Sequence, residues 1–376
     1  MEKQKYSKTI SARIRIALGL VSVIAFAFLN TVLLFADSAK SQLVDRELRS
    51  ENIGHNKIAT DPVRKMVVYL PPGYDESAKD NSRYPVIYFL PTPEASYRAE
   101  FDRQGARSLF DRAIAAGIID KFIFVSVDMN TPLGCSWYVN SPVTGNWEDF
   151  MIQELVPYID ANFRTLPTKD ARGISGEFMG GYGAIRFGMQ HPDVFGSVYA
   201  LGPVGVATGL NVMYARPNWD LLVNAKSLHD VEKDGFWSNI FATIFQAHLP
   251  NPDKPPLFID LYAHKVGDEF VVDSEISKRL HNNFLLETMI PQYANNLKSL
   301  RGFKIDWERN DGNPDHVYAD QAFTRKLDEF GIPHEAEEYS SLWGYGVWAE
   351  NGRLYAEVLP FFQRHLVFER NDNDRR

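Results

Sequence analysis

The chain has 376 residues, of which 45% are hydrophobic and 23% charged, and its formal net charge is −8. This is the composition of a globular protein long enough to bury a full core, which excludes a disordered, collagen-like or coiled-coil chain. The single cysteine, Cys135, excludes an internal disulfide and a cysteine-rich metal site. The acidic balance also argues against a nucleic-acid partner.

The amino terminus has the charge pattern of an export signal. Residues 1–15 carry five basic side chains against Glu2, and the 21 residues 16–36 include no charged one. A helix of that length spans about 31 Å, enough for a bilayer core, and the preceding basic residues favour an N-inside orientation. Three interpretations stay open: an uncleaved signal anchor, a signal peptide cleaved near residues 36–38, and a buried helix.

The first two interpretations place the body of the protein on the periplasmic or extracellular side, anchored in a membrane or released. Residues 1–36 form the signal segment, and residues 37–60 are polar without clear periodicity, which predicts a linker. We expect the folded domain to span residues 61–368 and the polar residues 369–376 to form a tail.

Within this domain, short apolar runs alternate with amphipathic patterns. The runs at 66–70, 86–90, 122–127, 198–201 and 303–307 are rich in β-branched and aromatic residues, which predicts strands. The spacing of apolar residues predicts helices over 147–163, 322–330 and 354–365, the last interrupted by Pro360. This alternation predicts an α/β fold, a mostly parallel sheet with helices on both faces. Residues 205–300 break the rhythm and are predicted to form an insertion.

The most informative segment is the glycine-rich stretch GISGEFMGGYGA at 173–184. A strand that runs into a glycine-rich turn and then a helix is typical of the nucleophile elbow of α/β hydrolases, G-x-S-x-G. The nucleophile there sits in a strained turn, so the residues two positions away must be small. Gly176 and Gly180 meet this demand around position 178.

Four further stretches extend the resemblance: VYLPPGYD at 68–75, RYPVIYFLP at 83–91, 145–165 and 179–203. With the elbow, they resemble the putative-esterase family of α/β hydrolases, which includes S-formylglutathione hydrolase, feruloyl and acetyl xylan esterases and mycolyltransferases. The resemblance covers residues 61–366, more weakly between 205 and 300. It implies the α/β-hydrolase fold and a small ester or carbohydrate-ester ligand.

The chain departs from the family at the residues that carry the chemistry. The serine position of the elbow is occupied by Phe178, whose ring has no nucleophilic atom. The family's Y-x-G-x-H stretch reads YSSLW at 339–343, which places Trp343 at the histidine position. In place of a glycine-rich oxyanion loop, Thr92 stands between two prolines, which have no N–H to donate.

One member of the triad is retained by this resemblance. The family's acid lies in a D-x-G-x-x-D loop, and DGNPD at 311–315 makes Asp315 the match. Met179 is the predicted oxyanion donor through its backbone N–H, and Thr92 and Glu177 are the other residues expected at the pocket. The order of position 178, acid and histidine position predicts that Phe178, Asp315 and Trp343 meet at one sheet edge, with Phe178 and Trp343 stacked across the pocket floor.

Other candidate residues are better explained structurally. Ser175 is followed two positions later by Glu177, which is too large for an elbow, and Cys135 has no visible base. His316 is interpreted as a loop histidine, and the histidines lack metal-binding spacing, so we expect no metal or cofactor. Two functions remain open: a non-catalytic homologue that binds a ligand or partner in the old pocket, and a carboxylic-ester hydrolase whose nucleophile lies elsewhere or whose natural parent has serine at 178.

Overall fold

The computed structural model describes residues 40–75, 78, 81–208 and 217–369. Its main strands are β1 Gln42–Arg49, β2 Val63–Leu70, β3 Val86–Leu90, β4 Ile123–Val127, β5 Arg172–Glu177, β6 Ser197–Leu201, β7 Gly302–Glu308 and β8 Glu335–Tyr339. They form one sheet in the order β1-β2-β4-β3-β5-β6-β7-β8. The pairs β1–β2 and β2–β4 are antiparallel and every other neighbouring pair is parallel. The prediction of a mostly parallel sheet is confirmed.

All five strands expected from the apolar runs are present as β2, β3, β4, β6 and β7. Each of them except β2 is buried along its whole length, as is expected of parallel strands covered on both faces. Their β-branched and aromatic residues fill both faces of the sheet, so continuous apolar runs rather than alternating patterns reveal them in the sequence.

Helices cover both faces of the sheet. The longer ones outside the insertion are α1 Glu51–Gly54, α2 Ala99–Asp102, α3 Ala106–Ala115, α4 147–162, α5 Met179–Gln190, α11 Pro314–Glu329 and α12 354–365. One hydrophobic core contains α1, α4, α5 and α11 on one face, and a second contains α3 and α12 on the other. The sheet therefore lies between two layers of helices.

The described residues between β6 and β7 form a further group of helices, part of which lies over the carboxyl end of the sheet. It consists of α6 Trp219–Asn224, α7 Leu228–Asp234, α8 Phe236–His248, α9 Ser274–Phe284 and α10 Ile290–Lys298, with a hairpin of Ala263–Val266 and Glu269–Val272. Rings of this layer pack on one another, as Trp219 does on Phe245 and Tyr262. The expected insertion corresponds to this helical cap, whose helix α8 faces the site described below.

The expectation of a linker over residues 37–60 is wrong from residue 42 onward. Strand β1 pairs with β2 along eight residues, from Gln42 beside Leu70 to Arg49 beside Val63. Ser50 then caps α1, in which Ile53 is fully buried. The sequence does not reveal β1 as a strand, because an edge strand that buries little of its surface can consist largely of polar residues.

Three other details differ from the sequence-based expectations. Strand β8, EAEEY, was not predicted because it is half-exposed and almost devoid of apolar residues. Helix α11 begins eight residues before the predicted 322, capped by Asn313. In α12, a wide π-helical turn at Leu354–Val358 precedes Pro360, so the proline follows an irregular turn and does not break a regular helix.

The signal segment 1–36 lies outside the described residues, as does most of the tail 369–376. Among the helices of residues 40–75, 78, 81–208 and 217–369, none is both long and apolar enough to cross a membrane.

The role of α1 can be tested through Ile53. Since this side chain is fully buried in the core, Ile53→Ala should lower the free energy of unfolding by about 2–5 kcal/mol. Leu342→Ala, which shortens a side chain that is 61% exposed, should change it by no more than about 0.5 kcal/mol. Denaturant unfolding measures both, and equal effects would mean that residues 50–54 do not belong to the folded core.

Candidate functional site

Phe178 occupies a strained turn between β5 and α5. Its backbone has φ 56° and ψ −110°, a conformation that costs a bulky residue on the order of 1–3 kcal/mol. The turn is held on both sides, because Phe178 N–H donates to Leu201 O and Val204 N–H donates to Phe178 O. The elbow geometry expected from the glycine spacing is therefore present with phenylalanine at its apex.

The glycine at position 180 is required by a close approach of helix to strand. A Cβ placed at Gly180 would lie 2.0 Å from Leu90 O, and one at Gly176 would lie 2.4 Å from the carbonyl carbon of Gly180. Backbone atoms cannot yield in the way a flexible side chain can. The first turn of α5 is thereby seated against β3, which fixes the direction in which position 178 projects.

The ring of Phe178 packs on the indole of Trp343, with 4.0 Å between ring centroids and 45° between planes. Gly344 lies against the same ring: an added Cβ there would sit 2.7 Å from Phe178 Cζ. The two aromatic side chains thus pack together at the apex of the elbow. They meet as the sequence predicted, although their planes are tilted by 45° and not stacked face to face.

The loop that carries Trp343 is tied to the sheet by buried carboxylates. Gly344 N–H and Tyr339 Oη both donate to Glu308 Oε1, at 3.1 and 2.7 Å. Further along, Trp348 Nε1 donates to Glu177 Oε1 at 2.6 Å. Glu308 and Glu177 end strands β7 and β5, so this loop is held directly above the carboxyl edge of the sheet.

The acid expected from the sequence is not the one that binds an imidazole. Asp315 lies in the first turn of α11, where its backbone N–H donates to Asn313 Oδ1 at 3.2 Å. Asp311 accepts from His316 Nδ1 at 2.8 Å, and the His316 ring lies 5.5 Å from that of Trp343. The description of His316 as a loop histidine is therefore wrong: it is a helical residue with a carboxylate partner.

A cavity of about 190 Å³ opens beside this cluster. Met179 lines it, as the sequence predicted for the pocket, whereas Thr92 and Glu177 do not. Glu177 projects to the opposite face of the sheet, towards Trp348, because neighbouring residues of a strand alternate in direction. Thr92 lies in the turn after β3, where its carbonyl accepts from Ala95 N–H.

None of the alternative nucleophiles considered has an activating partner. Ser141 Oγ donates to Gln246 O at 2.7 Å, and Ser175 Oγ is buried in β5 with no hydrogen-bond partner among the described residues. Burial raises the pKa of the Cys135 thiol to about 12, so the reactive thiolate is not formed near neutral pH. In the part of the chain that the structure describes, no group of three metal-ligating side chains occurs.

Buried carboxyl groups surround the elbow on the side away from the cavity. Burial, reinforced by the nearby charge of Glu100, raises the pKa of Glu177 to about 8. Burial likewise raises the pKa of Glu100 to about 7 and that of Asp306 to about 6. All three pKa values lie above that of an ordinary carboxyl group, and Glu177 favours its protonated form near neutral pH.

Two features of the site escaped the sequence analysis. One is the sequence-local group Asp311, Asn313 and His316, and the other is Glu308 beneath the loop of Trp343. Asparagine followed by proline is a recognised helix-start signal, so Asn313 and Pro314 could have placed His316 in a first helical turn. Nothing local in the sequence marks Glu308, since its partners come from residues 339 and 344.

The raised pKa of Glu177 predicts a pH dependence of stability. The unfolded chain releases this proton near 4.5 and the folded protein near 8, so stability falls as pH rises through that interval. Glu177→Gln keeps an acceptor for Trp348 but cannot ionise. It should therefore lose less unfolding free energy than the parent protein between pH 5 and pH 8, measured by denaturant titration. Glu47→Gln, which alters an exposed carboxylate, should follow the parent curve; identical slopes for all three proteins would contradict the prediction.

Comparison with known proteins gives relatives of one kind. The sequence profile of the "Putative esterase" family matches residues 59–248. Esterase Rv1288 of Mycobacterium tuberculosis is 27% identical over 315 residues, which are 81% of this chain and 58% of that protein. An S-formylglutathione hydrolase of Arabidopsis thaliana is 28% identical over 155 residues, covering 36% of this chain and 50% of its own. The chain thus spans about half the length of these relatives.

Solved structures show the same fold at low sequence identity. A ferulic acid esterase superposes with TM-score 0.60 at 18% identity, covering 87% of this chain and 100% of its own. An S-formylglutathione hydrolase from Staphylococcus aureus superposes with TM-score 0.55 at 14% identity, covering 85% and 100%. The family profile matches half of the chain, and the strand order and the elbow agree with it, so the chain belongs to the putative-esterase family of α/β hydrolases.

Proposed function

We propose that this protein is an exported, non-catalytic member of its family, which binds a small ester-like or carbohydrate-ester-like ligand in the cavity beside Phe178. The observation that carries the proposal is the contact of Phe178 with Trp343, because it fills the point at which nucleophile and base would meet. The imidazole of His316 packs against Trp343, with 5.5 Å between ring centroids, and is bound to Asp311. An acyl-enzyme has no atom on which to form at position 178.

The alternative function is ester hydrolysis with a nucleophile elsewhere, or with serine at 178 in a natural parent. It is supported by the intact backbone of the elbow, in which a serine would occupy the same strained turn as Phe178. The relatives named as esterases support it as well. Against it stands the second substitution, since Trp343 removes the base as Phe178 removes the nucleophile.

Covalent trapping separates the two functions. A fluorophosphonate probe labels only an activated nucleophile, so the protein should remain unlabelled, and Phe178→Ser alone should label weakly because no base reaches the hydroxyl. Phe178→Ser combined with Trp343→His should label strongly, and Asp315→Asn on that background should lower labelling if Asp315 supplies the acid. Trapping is preferable to a rate assay, because hydrolases without a triad retain ~10³–10⁴-fold catalysis over water.

The matched control is Phe178→Ala with Trp343→His, which opens the same space without a hydroxyl and should remain unlabelled. Peptide mapping locates the adduct. Labelling of the parent protein at any serine would overturn the non-catalytic function and favour the alternative.

We also propose that residues 16–36 anchor the body to a membrane on the export side. The support is the uncharged run of 21 residues after a basic segment.

The path of the chain then determines which edge of the sheet faces the membrane. Gln42 pairs with Leu70, and Tyr69 pairs with Phe124 at the start of β4, so the chain enters at the amino edge of the parallel strands. Phe178 follows the carboxyl end of β5, at the opposite edge.

Six Cα–Cα steps separate Ala36 from Gln42, a reach of at most about 20 Å. The anchored protein is therefore expected to hold its amino edge near the bilayer and its cavity away from it. A cysteine is introduced either at Lys121, which precedes β4, or at Tyr345, beside Trp343, and is labelled with a fluorescent dye. Spin-labelled lipid should then quench the fluorescence of the dye at position 121 more strongly than at position 345. Native Cys135 is buried and should not compete for the dye.

Protease accessibility in membrane fractions tests on which side of the membrane the body of the protein lies. A body that is protected inside the cytoplasm would refute export. Equal quenching at positions 121 and 345 would refute only the orientation.

A further inference from the structure

The cavity beside Phe178 is bounded by several parts of the fold. Trp343 and Met179 form the wall nearest the elbow, α8 contributes residues from Phe236 to Ile244, and Phe284 comes from α9. Phe236 and Trp237 are 40% and 43% exposed, although they are large aromatic residues. Exposed aromatic side chains around a concave surface are typical of a ligand site.

The size and lining of the cavity limit what it can hold. Its volume is about 190 Å³, and most of the side chains around it are aromatic or aliphatic. An apolar cavity of ~150 Å³ is large enough to bind benzene. The space therefore fits a single aromatic ring with a short substituent.

Asn313 and His316 are the polar side chains of the lining, and hydrogen bonds fix their orientation. Asn313 Oδ1 accepts from the backbone N–H of Asp315, so Nδ2 must face His316 Nε2, at 2.9 Å. His316 Nδ1 donates to Asp311 Oδ2. The imidazole thus uses both nitrogens within this group, whereas the Asn313 amide has a second N–H hydrogen.

The charge around this end of the cavity selects against an anion. No lysine or arginine is among the described residues that line it. The Asp311 carboxylate, only 5% exposed, lies directly behind His316. A carboxylate ligand would have to lose its hydration with no cation to compensate, whereas an uncharged carbonyl needs only one donor.

We propose that Asn313 determines the specificity of this site: its amide donates to the carbonyl oxygen of an uncharged, single-ring aromatic ligand whose ring packs among the residues of α8, α9 and Trp343. This rests on the proposed ligand-binding function and adds the chemical class of the ligand and the residue that recognises it. Esters, ketones and aldehydes of benzene-sized rings belong to this class, and aromatic carboxylates do not.

Asn313→Asp tests the proposal. Aspartate caps a helix as well as asparagine does, so the start of α11 is kept. Both N–H hydrogens of the amide are lost, so the hydrogen bond to His316 Nε2 is removed together with the donor proposed for the ligand. Binding of acetophenone and of ethylbenzene to the full-length protein is measured by ligand-observed NMR, with detergent micelles alone as reference. We expect Asn313→Asp to weaken the binding of acetophenone by about 3- to 10-fold, which is the contribution of one hydrogen bond. The binding of ethylbenzene should be unchanged.

Comparing each ligand with itself across the variants cancels its partition into micelles. Asn310→Asp, which introduces the same charge at an exposed neighbouring position, should change the binding of neither ligand. Ile240→Trp fills the cavity and should abolish the binding of both, with thermal unfolding as a check of folding. In a second comparison, methyl benzoate should bind at least tenfold more tightly than benzoate.

The possible results separate carbonyl recognition by Asn313 from ligand binding in the cavity. If both ligands bind but Asn313→Asp affects them equally, or if benzoate binds more tightly than its ester, Asn313 does not select a carbonyl and this inference is overturned, while ligand binding stands. If no ligand binds in a manner that Ile240→Trp removes, the ligand-binding function fails and this inference with it. Fluorophosphonate labelling would overturn only the non-catalytic character of the site.

Discussion

The close approach of helix α5 to strand β3 is the constraint on which the site depends. At Gly180 there is no room for a side chain, because a Cβ would lie 2.0 Å from Leu90 O. The helix is therefore seated against the strand, and the residue before it must turn through a strained conformation. This backbone suits a nucleophile that has to project from a sheet. Here it projects the ring of Phe178, so the backbone geometry of an elbow is present with an aromatic side chain at its apex.

The rest of the site is arranged around that ring. Trp343 packs on it, and the loop that carries Trp343 is held by Glu308 and Glu177, which end strands β7 and β5. Both carboxyl groups are buried, and burial raises the pKa of each. Removing either acceptor would leave a buried donor unpaired, which costs about 1–3 kcal/mol. The loop that carries Trp343 is thus held to the sheet by hydrogen bonds to both carboxyl groups.

Two different kinds of contact meet at the cavity. Asp311, Asn313 and His316 are close in sequence and are oriented by the first turn of α11. Much of the apolar wall instead comes from α8 of the cap, which lies over 60 residues away along the chain. An oriented polar group facing an apolar wall distinguishes ligands by the position of one acceptor. A site with catalytic groups would have to distinguish transition states as well.

The sequence alone was sufficient for features that depend on local pattern. Five strands could be located because each is a compact apolar run. The elbow could be located because its turn leaves no room for a side chain at positions 176 and 180, which are therefore glycines. The contact of Phe178 with Trp343 followed from chain order within a family. Tertiary structure decided the rest: β1 and β8 are polar edge strands that exist through pairing with β2 and β7. The Asp311 partner of His316, by contrast, lies only five residues away in the sequence. The wall of the cavity was beyond a local pattern, because it is set by which distant surfaces packing brings together, and the free energy of such packing depends on contacts that no short stretch of sequence contains.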